Sequence, residues 1–219
     1  MTKTIIIPDF KYKSPKRRGR GTGHQGLRAT LKYLQFREDR DTRANQEKLR
    51  DRWQDRGLGK HYREIFTNCD CLQSQHVLAW TWVISPAPDL MALVPEVQRR
   101  DLVMDVTERI VEAYYEARGF QMPPYAYVVH DRLTKEGEQQ LHSHVILPGL
   151  APTVEGWEAI YNHKRKRHEQ LFNTIAHDEF EVTLDRTIGT EWRREIEEPA
   201  VEAQDVPEDI DSLDAWFPR

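Results

Sequence analysis

The sequence predicts an α+β fold: an antiparallel sheet with helices packed on one face. Three observations predict it. Tyr125 to His130 is aromatic and β-branched, and Leu141 to Leu147 is apolar after its two histidines, so both read as strands. Between them, Arg132 to Gln140 is charged and contains Gly137, the signature of a hairpin loop. Upstream, a third strand, Val77 to Ile84, is followed by a long helical pattern.

In chain order, residues 4–10 are rich in Ile and read as a first strand. Residues 11–23 carry Pro15, three glycines and a basic run that includes Lys11, Lys13, Lys16, Arg17, Arg18 and Arg20. This is a cationic arm able to order on a phosphate backbone. From Gln25 the pattern turns helical, with Leu27, Leu31 and Leu34 at helical spacing and Arg28 and Lys32 elsewhere on the surface. Residues 38–64 are dense in charge and read as one or two exposed helices broken at Gly57 to Gly59. In the strand Val77 to Ile84, Trp80 and Trp82 share one face and read as core under a helix. Residues 89–118 read as a long helix with a stripe of Val103, Val106, Ile110, Ala113 and Ala117; Pro95 marks an early break and Gly119 the stop.

After the histidine hairpin, residues 154–177 read as a further helix, whose basic middle spans His163 to His168. The chain thus divides into a basic strand and arm (1–24), a central domain (25–189) and an acidic tail (190–219) that ends in the aromatic pair Trp216-Phe217.

A chain of 219 residues can bury a proper core. No apolar run approaches the roughly 20 residues of a membrane helix, and the start is too short for a signal peptide, so a cytoplasmic protein is expected. Cys69 and Cys71 suit neither a disulfide framework nor a zinc ribbon. The net charge is −4, yet base and acid are segregated. Phosphate binding follows local potential, so Lys16, Arg17, Arg18, Arg20, Arg28, Lys32 and the cluster Lys164, Arg165, Lys166, Arg167 remain candidates for DNA contact.

The histidines carry the chemistry. Side chains alternate along a strand, so His142 and His144 point to one face and Val145 and Leu147 to the other. In an antiparallel hairpin His130 joins that pair. Three imidazoles on rigid strands leave coordination positions open, as a catalytic metal requires. Asp131 follows His130 and is the candidate to orient a ring nitrogen. Imidazole ligands suit Mn, Zn, Co or Ni better than Mg.

His130-Asp131 followed by His142-Ser143-His144-Val145-Ile146-Leu147-Pro148-Gly149 resembles the third motif of HUH-type relaxases, the plasmid mobilisation nickases. Leu141 stands where that family usually has Pro. Gly26-Leu27-Arg28-Ala29-Thr30-Leu31-Lys32-Tyr33-Leu34-Gln35 resembles the family's nucleophile motif. The resemblance covers residues 15–175 and implies a palm-like sheet carrying a divalent metal, Mn, Mg or Zn. It also implies strand- and site-specific nicking of single-stranded DNA at an origin-of-transfer-like site, through a 5′-phosphotyrosyl intermediate. Accessory relaxosome or secretion coupling proteins are the partners implied for plasmid or mobile-element transfer.

Tyr33 matches the early nucleophile position. Tyr161, on the segment after the histidine motif and followed by Lys164, is the rival, an arrangement similar to rolling-circle replication initiators and single-tyrosine transposases. Tyr114 and Tyr115 read as helix surface or core. A non-catalytic DNA-binding protein would keep the basic faces without metal or nucleophile. A cupin-like oxygenase would need a further carboxylate and histidine with glycine-bounded strands, which the sequence lacks.

Overall fold

The computed structural model describes residues 5–15, 23–38, 49–160 and 165–197. Its centre is a five-stranded antiparallel sheet in the order β1-β3-β5-β4-β2. The strands are β1 (Ile6–Lys13), β2 (Gln54–Arg56), β3 (Ala79–Pro86), β4 (Tyr125–Leu133) and β5 (Gln139–Pro148). The register aligns Phe10 with Trp82, Val83 with His144, and His130 with His142. The β4–β5 loop shrinks to residues 134–138, closed by Thr134 N–H on the Glu138 carbonyl at 2.8 Å. Gly137 takes φ +87°, a conformation that suits glycine.

Alternation along these strands builds two different faces. Trp80, Trp82, Tyr127, Val129, Val145 and Leu147 enter one core with Phe10. Helix α4 (Glu96–Ala117) covers it through Val103, Val106 and Ile110, and α5 (Arg165–Ile188) through Phe172, Phe180 and Leu184. Aromatic rings fill the centre: Trp82 lies 4.7 Å from Phe172 and 5.2 Å from Tyr114, centroid to centroid. The tryptophans are therefore core, and Tyr114 and Tyr115 are buried with them.

The long helices thus pack together on one face, as predicted. The opposite face also receives cover, from α1 (Gly23–Phe36) and the short α2 (Tyr62–Cys71). Leu27, Leu31 and Leu34 of α1 meet Ile65 and Cys69 of α2 over Ala79, Ala126, Val128 and Ile146. The Tyr62 N–H donates to Oε1 of Gln35 at 2.7 Å and ties the end of α1 to the start of α2.

Several elements differ from expectation. The first strand is displaced to Ile6–Lys13, so Lys11 and Lys13 of the expected arm are strand residues. The region 38–64 yields the short β2 and the start of α2, while residues 39–48 lie outside the described residues. The helix expected over 89–118 is α3 (Pro88–Leu93) and α4, separated at Pro95, which has no N–H to give an ongoing helix. Gly119 stops α4 at φ +72°.

The helix expected from residue 154 starts only at Arg165. Before it comes a separate hairpin of β6 (Leu150–Thr153) and β7 (Gly156–Ala159). Gly149, just ahead of that hairpin, permits a close approach: a Cβ there would meet the Val77 carbonyl oxygen at 1.9 Å. The acidic tail opens with a short helix, α6 (Trp192–Glu197). Buried Trp192 donates through Nε1 to Asp185 at 2.8 Å, and Arg193 bridges Glu181 and Asp185. Residues 198–219 lie outside the described residues. No helix among the described residues is long and apolar enough to cross a membrane.

Candidate metal and nucleophile site

Because β4 and β5 are antiparallel with His130 opposite His142, the period of two brings His144 to the same face, opposite Val128. The three rings form a near-equilateral triangle. Centroids are 5.5 Å apart for His130–His142, 5.0 Å for His130–His144 and 5.1 Å for His142–His144. One ring nitrogen from each lies within 4.8 Å of the others.

The backbone of α1 sets the tautomer of one ring. The last carbonyls of a helix have no intrahelical partner. The Tyr33 carbonyl takes the Arg37 N–H at 2.9 Å, and the Leu34 carbonyl lies 3.1 Å from Nε2 of His130. A carbonyl only accepts, so Nε2 carries the proton and Nδ1 keeps a bare lone pair. That Nδ1 is buried and, among the described residues, has no hydrogen-bond partner. Nδ1 of His142 lies 3.3 Å from the Gln140 carbonyl and, for the same reason, carries a proton there.

Burial, first of all, drives the pKa of His130 and of His144 far below the usual imidazole value. Charge adds to it: His144, Arg52 and His142 act on His130, and His142, Arg37, Arg132 and Arg52 act on His144. Both rings are neutral at pH 7, the form that ligates metal. Three convergent imidazoles, those of His130 and His144 held neutral, with a buried bare nitrogen fit a divalent ion of the softer, nitrogen-binding kind.

Arginines surround this pocket. Arg132 sits two residues past His130 on the same sheet face. Its pKa is lowered by burial, then by Arg37, while Tyr33 opposes the shift. Arg52 is buried and donates through Nη1 to the Arg37 carbonyl. The Arg37 guanidinium lies over the Tyr33 ring, 5.1 Å from its centroid.

Tyr33 itself is 54% exposed on α1, one residue from the carbonyl that meets His130. Arg28 and Lys32 are exposed on the same helix, with the Arg28 guanidinium 5.9 Å from the centre of the Phe66 ring. Tyr161, Lys16, Arg17, Arg18, Arg20 and Lys164 lie outside the described residues, as do the side chains of Arg165, Lys166 and Arg167. Cys69 is buried and its thiol is pushed up to about 12 by burial, which suits packing.

Asp131 corrects one expectation. Adjacent strand residues point to opposite faces, so Asp131 faces away from His130, opposite core residue Leu141. It accepts from Nε2 of Gln139 at 2.8 Å. The orienting role falls to the Leu34 carbonyl instead. Sequence reasoning also missed Arg37, Arg52 and Arg132. Arg132 was recoverable from alternation and Arg37 from its i+4 relation to Tyr33; no local signal marks Arg52.

No family model matches the sequence, and no curated protein does. Solved structures do match. The conjugative relaxase TrwC in complex with oriT DNA, in its metal-bound structure, superposes with a TM-score of 0.55 at 12% identity, over 82% of this chain and 70% of that one. The chain shares the fold of this conjugative relaxase. TrwC with a 27-mer DNA comprising the recognition hairpin and the cleavage site gives a TM-score of 0.52 at 12% identity, over 82% of this chain and 69% of TrwC. The metal-free TrwC–oriT complex gives 0.52 at 13%, over 82% and 70%. At these identities the likeness is one of fold. The α+β relaxase fold expected from the histidine motif is thereby met, with the histidine triangle on its central strands.

Proposed function

We propose that the protein is a metal-dependent DNA nickase of the relaxase type, acting in the cytoplasm on single-stranded DNA at an origin-of-transfer-like site. The single observation that carries this reading is the histidine triangle, in which the buried Nδ1 of His130 keeps a bare lone pair and the Leu34 carbonyl, one residue from exposed Tyr33, holds the other ring nitrogen. The DNA and metal seen with TrwC support it, since that protein shares the fold.

His130, His142 and His144 would hold the divalent ion, which when bound supplies Lewis-acid polarisation of the scissile phosphate's non-bridging oxygens. Tyr33 supplies the nucleophile. Its phenolic oxygen forms a bond to phosphorus in line with the leaving 3′ oxygen, and the P–O3′ bond breaks. The phenol proton passes to solvent, and the released 3′ oxygen takes one up. A 5′-phosphotyrosyl link and a free 3′-OH remain. Phenolate leaves more readily than an alkoxide, so the same residue can rejoin strands. Arg37, Arg52 and Arg132 keep the pocket positive and favour a phosphodiester over neutral substrates.

Tyr161 is the alternative nucleophile, in the manner of rolling-circle initiators. The test is cleavage of a labelled single-stranded origin fragment with Mn by the wild type, Tyr33→Phe and Tyr161→Phe. Loss of the covalent adduct in Tyr33→Phe alone is the expected result; loss only in Tyr161→Phe transfers the role.

A further inference from the structure

Arg37 and Arg52 meet at the C-terminal end of α1, Arg132 lies within electrostatic reach of Arg37, and none of the three belongs to the ligand set. Arg132 shares the sheet face of His130, two residues along β4. Arg37 leaves the end of α1 and lies across the ring of Tyr33 at 5.1 Å. Buried Arg52 donates to the Arg37 carbonyl and so pins the backbone from which the Arg37 side chain springs. Like charges gathered in a partly buried place repel one another, and an anion between them relieves that repulsion. The Arg37 amide and carbonyl are engaged. Among the described residues, its guanidinium makes no hydrogen bond and no ion pair, only the contact with the Tyr33 ring. A planar guanidinium with several donors matches the oxygens of a phosphate.

We infer that Arg37 and Arg132 form a phosphate-oxygen clamp beside the histidine pocket, which holds a DNA phosphate across the exposed Tyr33 ring even with no metal bound. The identity of the anion, a phosphodiester of single-stranded DNA, rests on the nickase reading. The clamp divides the work at the site. The arginines seat the backbone against Tyr33, and the imidazoles stay reserved for the ion. It also gives Arg37 a second task as a positioning residue, since its charge over the phenol ring holds Tyr33 at the mouth of the pocket.

The test uses the full chain in EDTA and a fluorescein-labelled single-stranded oligothymidylate, read by anisotropy over a range of salt. Arg37→Gln and Arg132→Gln are each expected to weaken metal-free binding by about tenfold, the loss typical of a hydrogen bond to a charged group. Each should flatten the log–log salt slope by about 0.7, one phosphate contact on a single strand. Arg37→Lys should recover part of the affinity but less than the wild type. Calorimetric Mn binding retained by both glutamine variants shows that the fold and pocket survive. Wild-type affinity and slope in the Arg37→Gln, Arg132→Gln double variant overturn the clamp. The covalent-adduct assay separates the two readings. A wild type that forms no adduct, while its arginine variants lose metal-free binding, keeps the clamp and sinks the nickase. A double variant that forms adduct at the wild-type rate, with unchanged affinity, sinks the clamp and keeps the nickase.

Discussion

The Leu34 carbonyl lies 3.1 Å from Nε2 of His130, and this contact joins the helix that carries Tyr33 to a strand of the histidine triangle. A backbone acceptor at the C-terminal end of α1 fixes which ring nitrogen of His130 is bare. Position and protonation of the site are therefore set by the same helix turn. Removing the triangle should abolish metal binding: His142→Ala, His144→Ala is expected to show no calorimetric Mn or Zn binding. An isotherm like that of the wild type would show that the ion binds elsewhere.

The neutral imidazoles make stability pH-dependent in a definite direction. His130 and His144 stay neutral in the folded chain, because burial and neighbouring charge lower their pKa, whereas in the unfolded chain they protonate near 6.5. Below that pH the unfolded state binds more protons. Metal-free stability is thus full above pH 6.5 and declines as pH falls, by up to about 1.4 kcal/mol per pH unit for each ring. Urea midpoints of the EDTA-treated protein at pH 7.5 and 5.5 should differ accordingly, and the difference should shrink in His144→Leu. An equal drop in that variant would place the titration on other groups.

Phe172 anchors α5 to the sheet. It is fully buried, with ring centroids 4.7 Å from Trp82 and 5.1 Å from Phe10. Phe172→Ala should cost about 3–5 kcal/mol, since it leaves a cavity in an aromatic core. Denaturant unfolding reads this directly; a cost under about 1 kcal/mol would mean that α5 does not depend on this contact.

Ser143 lies between His142 and His144 on β5 but faces the other way, where its Oγ meets Oγ1 of Thr107 on α4 at 2.7 Å. Both side chains are buried. Ser143→Ala should destabilise by about 1–3 kcal/mol through the polar partner left behind. Joined with Thr107→Val, the total should be less than the sum of the single costs, because one interaction is removed twice. Strict additivity in chemical denaturation would show that the hydroxyls are uncoupled.

Much of this was legible in the sequence, and the misses have physical causes. Alternation along Leu141 to Leu147 was enough to place His142 with His144 and to send Val145 and Leu147 into the core. The same alternation turns Asp131 away from His130, against the expectation drawn from mere adjacency. Trp157 and Ile160 mimic helical spacing, yet Gly156 at φ +137° closes a hairpin through that stretch. The Leu34 carbonyl left no trace in the sequence, because every residue has one and only the end of a helix frees it. Arg52 comes to the pocket by tertiary packing alone.

Tyr33→Phe removes one hydroxyl from a half-exposed ring, so stability should move by less than about 0.5 kcal/mol while the covalent chemistry stops. The most direct measurement is therefore peptide mapping of the covalent product by mass spectrometry, after incubating the full chain with Mn and a single-stranded origin fragment. The account predicts a nucleotide on the peptide that contains Tyr33, absent in EDTA and in His142→Ala, His144→Ala. A nucleotide on the peptide containing Tyr161, or a Tyr33 peptide modified equally well without metal, would contradict it.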